Sequence, residues 1–165
     1  MEQLRVTALR PGQLIVGKTL PYLAISLAAT VVILAAARVL FAVEVRGPYL
    51  ALFVATLLYL FGALGFGLLV SSFSRSQAMA FQVGLITSML PAIFLSGFIF
   101  PIRSMPLVLQ WVTWAVPARY YLIVLRGVIL KGAGLAPYKD QIAFLTIFAL
   151  AVTGIAWMRL VRSEG

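Results

Sequence analysis

The chain reads as an all-α membrane protein: four transmembrane helices, preceded by an amphipathic segment and interrupted before the last span by broken half-helices. Three observations predict this class. Of 165 residues, 63% are hydrophobic and only 10% charged, far from the balance of a soluble domain. The mean hydropathy is +1.08. Finally, the uncharged runs are as long as a helix needs to cross the hydrocarbon, about 20 residues at 1.5 Å each.

Taken in order, residues 1–18 come first. Leu4, Ala8, Pro11 and Ile15 fall at helical spacing on one side, with Glu2, Arg5 and Arg10 elsewhere. That pattern suits a helix lying on a membrane surface or in a partner's groove. The same stretch holds a literal match to the phosphate-binding pattern G-x-x-x-x-G-K-[ST], from Gly12 to Thr19. The match lacks its physical context. Its variable positions are the bulky Gln13, Leu14, Ile15 and Val16, the 11 residues upstream in this sequence are too few for a strand set in a sheet, and no acid follows an apolar strand to hold Mg²⁺. The pattern is therefore assigned to chance.

The four spans are placed at 20–43, 50–71, 78–100 and 141–158. The first carries Arg38 close enough to its end to snorkel. The second contains Ala63, Gly67 and Ser71 in "GALGFGLLVS", a small-residue ridge on which another helix can approach. In the third, Pro91 predicts a kink. Between the third and fourth spans, residues 101–140 are too interrupted to cross. Pro106 and Pro117 break any continuous helix there, and Arg119 and Arg126 divide the apolar runs. With Trp111, Trp114, Tyr120 and Tyr121, this stretch reads as half-helices at the interface or dipping into the protein. Arg119 and Arg126, two turns apart, share a face if the segment is helical, and snorkelling to headgroups is the ordinary role for them. No repeat or linker divides the chain, so residues 1–165 form a single membrane domain.

Composition also excludes. The net charge of +9 comes from 13 basic residues scattered singly, which suits lipid headgroups rather than nucleic acid. There is no Cys and no His, and the four acids Glu2, Glu44, Asp140 and Glu164 lie outside the spans, so no acid/base pair, metal site or cofactor site is predicted and the chain is not read as an enzyme. With four spans both termini share a side. The cations on that side are set more densely than those opposite, so the positive-inside rule favours cytoplasmic termini.

Three blocks, "EQLRVTALRPGQLIVGKTLPYL", "SSFSRSQAMAFQ" and "LSGFIFPIRSMPLVLQWVTWAVPARYYLIVLRGVILKGAGL", together resemble the C-terminal membrane portion of bacterial ABC type-2 transporter permeases. The resemblance implies a permease subunit of an ATP-driven exporter in the bacterial cytoplasmic (inner) membrane, with both termini cytoplasmic. It implies that a separate ABC ATPase subunit docks on the cytoplasmic segment through Glu2, Leu4, Arg5, Leu9, Arg10 and Lys18. It also implies external re-entrant half-helices near the exit of the substrate path, carrying Gly97, Pro101, Met105, Pro106, Trp111, Pro117 and Arg126. The expected partners are that ATPase, a second permease copy or paralogue, and the bilayer; the expected substrates are small, amphipathic, drug-like or lipidic. Relatives carry further spans and an external domain upstream of "EQL", so the chain is expected to be partial. They also differ at Arg119, where a small hydroxyl or apolar residue is common, and at Ile123, where an acid is common. A non-transporting membrane scaffold or assembly subunit is the alternative that the residues leave open.

Overall fold

A computed structural model describes residues 11–74 and 76–163. Every regular element among them is helical: α1 (Pro11–Phe41), α2 (Tyr49–Phe73), α3 (Gln77–Leu90), α4 (Leu107–Thr113), α5 (Pro117–Lys131) and α6 (Lys139–Ser163), with short wider or tighter turns at Pro91–Leu95, Ile102–Ser104 and Ala136–Tyr138. Four stretches are long and apolar enough to cross a membrane: Thr19–Phe41, Tyr49–Phe73, Gln77–Leu95 and Ala136–Arg159. The expected spans are thus found, and the third ends at Leu95 instead of 100.

The ends of these helices have local causes. α1 runs through Pro21, whose missing N–H leaves the Gly17 carbonyl without its helical donor at the very edge of the span. It stops at Ala42, which takes a left-handed φ of 52°, and an extended connection leads to Pro48 at the start of α2. The Ser76 hydroxyl caps α3 by accepting from the Met79 N–H at 3.2 Å. Pro91 does more than kink the third span: it opens the α-helical ladder into the wide turn Pro91–Leu95. Gly97 then reverses the chain with φ +83°.

Packing centres on α2, which touches α1, α3, α5 and α6. Its buried residues include Ala51, Leu52, Ala55, Thr56, Gly62, Gly65 and Val70. Val124 and Val128 of α5 join Ala51, Leu52 and Ala55 in the core. Because lipid tails are as apolar as the side chains, close approach of small residues holds helices together here, not exclusion of water. Gly62 meets Phe148 and Ala149, and Gly65 meets Thr153, so α2 and α6 run side by side in the same direction. In contrast, no residue of the first or third span is buried.

The expected ridge of Ala63, Gly67 and Ser71 is exposed on α2, and a Cβ built at Gly67 meets nothing within 4 Å. The helix uses the neighbouring small residues Gly62 and Gly65 against α6. The Gly12–Thr19 match lies within continuous α1 and forms no loop.

This contrast is testable in the detergent-solubilised chain by thermal unfolding. A Cβ at Gly65 would stand 2.6 Å from Thr153 Oγ1, so Gly65→Val is expected to destabilise by about 1–3 kcal/mol through overpacking. Gly67→Val is expected to stay within about 0.5 kcal/mol of wild type. Equal effects at both positions would contradict the α2–α6 register.

Candidate functional site: a bent helix pair and the cavity at its elbow

Two prolines shape this region. Pro106 precedes α4 and Pro117 occupies the first turn of α5. The residue before a proline is pushed out of the helical region, and Val116 is extended at φ −89°, ψ 111°. One helix cannot run through that point, and α4 and α5 meet at a bend of 79°.

Three adjacent side chains in the first turn of α5 fix the elbow. The Arg119 guanidinium donates to the Thr113 hydroxyl and lies 5.1 Å from the centre of the Trp114 ring. Thr113 is fully buried, and its hydroxyl donates in turn to the Gln110 carbonyl at 2.7 Å. Tyr120 donates to the Trp114 carbonyl at 2.9 Å and stacks on Phe144 of α6 with ring centres 3.8 Å apart. Tyr121 stacks on Tyr59 of α2 at 4.5 Å, its hydroxyl 3.0 Å from that of Thr56.

These contacts set the depth of the elbow. Tyr121 lies level with Tyr59, while Val124 and Val128 pack on Ala55, Leu52 and Ala51. α5 therefore runs back along α2 toward its start, where the Arg46 N–H donates to the Ile129 carbonyl at 3.3 Å. Farther along α5, Arg126 donates to the Gly97 carbonyl at 3.0 Å, tying it to the end of the third span. α5 thus ends beside the start of α2, near the turn that closes the third span.

Of the residues expected here, Gly97, Met105, Pro106, Pro117 and Arg126 converge on this arrangement. The Met105 carbonyl accepts from the Gln110 side chain at 2.8 Å, and the Pro106 carbonyl from the Gln110 N–H at 3.1 Å. Pro101 is exposed ahead of the Ile102–Ser104 turn. Trp111 does not take part: it is 77% exposed on α4. Lys18 lies in α1, away from the elbow; Glu2, Leu4, Arg5, Leu9 and Arg10 lie outside the described residues.

Beneath the elbow is a cavity of about 460 Å³, walled by Tyr59, Phe66, Phe148, Thr87, Ser88 and Pro117 among others. No charged side chain lines it. The Thr87 and Ser88 hydroxyls donate to the Val83 and Gly84 carbonyls of their own helix, which leaves oxygen lone pairs to accept. Apart from Pro117, sequence reasoning missed these residues. The available signal was Thr56 and Tyr59, hydroxyl groups three residues apart in the middle of an otherwise apolar run. Among the described residues, no three of His, Cys, Asp and Glu come together to hold a metal.

A family model described as ABC-2 type transporter matches residues 1–130. Over 162 residues the chain is 36% identical to the "Probable multidrug ABC transporter permease YbhS" of Escherichia coli (strain K12), covering 98% of this chain and 43% of that protein. It is 33% identical over 164 residues to the "Probable multidrug ABC transporter permease YbhR" of the same organism, covering 99% of this chain and 44% of the relative. It is also 28% identical over 149 residues to the "ABC transporter G family member 20" of Dictyostelium discoideum, covering 90% of this chain and 20% of the relative. The chain spans less than half the length of these relatives. No solved structure matches it.

The elbow can be probed chemically because the chain has no native Cys. Val116 is 7% exposed, so Val116→Cys should react slowly with a small thiol reagent. Arg119→Ala removes a charge-assisted hydrogen bond of about 1.5–3 kcal/mol, and local opening should then raise the labelling rate roughly tenfold or more. An unchanged rate would show that Arg119 does not hold the elbow.

Proposed function

The chain belongs to the ABC-2 type transporter family, and on that premise we propose that it forms part of the permease subunit of an ATP-driven exporter. The observation that carries this reading is similarity over 98% of the chain to a protein named as a multidrug ABC transporter permease. In this reading the chain binds and hydrolyses no nucleotide. A separate ATPase subunit docks on residues 2–17, and the permease pairs with a second copy or paralogue in the bacterial inner membrane. The substrates are small amphipathic, drug-like or lipidic molecules.

The coupling is mechanical. α1 is continuous from Pro11 to Phe41, which supports a lever in which a push on the docking segment tilts the first span, with Pro21 as the weak point between the two. With the termini cytoplasmic, the bent pair of α4 and α5 is a re-entrant cap on the outer side, and rocking of the subunits alternately opens the path beneath it. The burial of Tyr121 and Val124 against α2 and the Arg126–Gly97 bond support re-entry over a fifth crossing.

Topology tests the orientation first. In the full permease, Ser74→Cys should react with a membrane-impermeant thiol reagent only after cells are opened, and Ser104→Cys in intact cells. Labelling of both from one side would rule out a crossing third span.

Coupling tests the function itself. Leu4→Asp with Arg5→Glu, placed in the full-length permease and co-expressed with its ATPase, should leave membrane insertion normal. It should weaken co-purification and abolish substrate-stimulated hydrolysis, since each contact is worth about 1–3 kcal/mol at such an interface. Wild-type co-purification and stimulation in the double mutant would leave the segment as a passive surface helix and favour a scaffold role.

A further inference from the structure

We propose that the cavity beneath the elbow is a ligand site for an uncharged aromatic amphipath that carries an N–H or O–H donor. The proposal rests on the permease reading and narrows it: this part of the subunit holds a pocket, and that pocket selects by charge.

Size comes first. About 460 Å³ falls within the roughly 300–1,000 Å³ of small-molecule sites, room for a few fused or linked rings. Shape and surface come next. Tyr59, Phe66 and Phe148 line the cavity from two helices, and aromatic walls favour a flat aromatic guest by offset or edge contacts. Their positions are fixed independently of any guest, since Tyr59 is stacked on Tyr121 and Phe148 lies 6.5 Å from Phe144 in a parallel stack. The site is therefore formed in advance of binding.

Polarity decides the class. On the α3 wall, Thr87 and Ser88 have already spent their O–H groups on backbone carbonyls at 2.5 and 2.6 Å. They can only accept, so this wall is complementary to a guest that donates. No acid lines the cavity, so a cation would enter without a counter-charge and bear the cost of desolvation unpaired. An anion would meet no charged side chain in the lining either. The neutral donor-bearing aromatic is the class left.

The experiment uses the full-length permease with its ATPase in phosphatidylcholine nanodiscs. Energy transfer from tryptophan to N-phenyl-1-naphthylamine, an uncharged aromatic amine, is measured against ethidium, a planar aromatic cation, with empty discs subtracted. Saturable transfer to the neutral probe and at least tenfold weaker binding of ethidium are expected. Thr87→Val keeps the volume and removes the acceptor, and should weaken the neutral probe by about fivefold. Ser88→Phe should fill the cavity and abolish saturable binding. Thr87→Val decides the matter if Ser88→Phe does not fold. No saturable binding to wild type, equal binding of ethidium, or binding unaffected by Thr87→Val would overturn the proposal. Permease-dependent ATP hydrolysis, recorded on the same samples, separates the outcomes: coupled hydrolysis without probe binding sinks the pocket alone, whereas uncoupled hydrolysis points at the permease reading.

Discussion

Arg119, Tyr120 and Tyr121 are consecutive, and each grips a different part of the molecule: Thr113 and Trp114 at the end of α4, Phe144 on α6, and Tyr59 with Thr56 on α2. Successive helical residues point about 100° apart, so one turn of helix can hold three neighbours at once. Without that turn α4 would have no fixed direction, the cavity would lack its roof, and α5 would lose its register against the Ala51–Ala55 stretch. Polar bonds suit this task in lipid. Apolar contacts there compete with equally apolar tails, while a hydrogen bond between protein groups meets little competition from the solvent.

The architecture divides into a tightly joined part and a loosely joined part. α2, α5 and α6 share the core, with Val124, Val128, Leu145, Ala149 and Ala156 among its least exposed residues. The spans in α1 and α3 contribute no buried residue. α1 touches α2 and α6, and α3 touches α2, but both present most of their surface outward.

How much of this was legible in the sequence follows from what each feature depends on. The spans were legible because bilayer thickness imposes a length on uncharged runs, whatever surrounds them. The break between α4 and α5 was legible because Pro117 acts on its own backbone, as Pro106 does at the start of α4. Which face of a span is used was not, because a helix apolar all round carries no azimuthal signal. The ridge Ala63–Gly67–Ser71 and the pair Gly62–Gly65 lie in one stretch and look alike, yet only the latter packs on α6. Arg126 was read as a snorkelling cation, but its partner is a carbonyl 29 residues away at a glycine turn, and only folding brings the two together. The cavity needs α2, α3, the elbow and α6 at once, so no single window contained it.

Arg119 has one more consequence. Its two partners, a hydroxyl and an indole ring, are both uncharged, so neither neutralises the guanidinium. In the re-entrant arrangement proposed above, the charge lies two residues from Tyr121 and so close to the level of Tyr59, which is ten residues into the 25-residue α2, or roughly 40% of the way along that helix. A charge that traverses the whole membrane gains or loses about 2.3 kcal/mol per 100 mV, so one at this depth feels on the order of 1 kcal/mol per 100 mV. Any rearrangement that carries the elbow toward or away from the membrane surface therefore does electrical work.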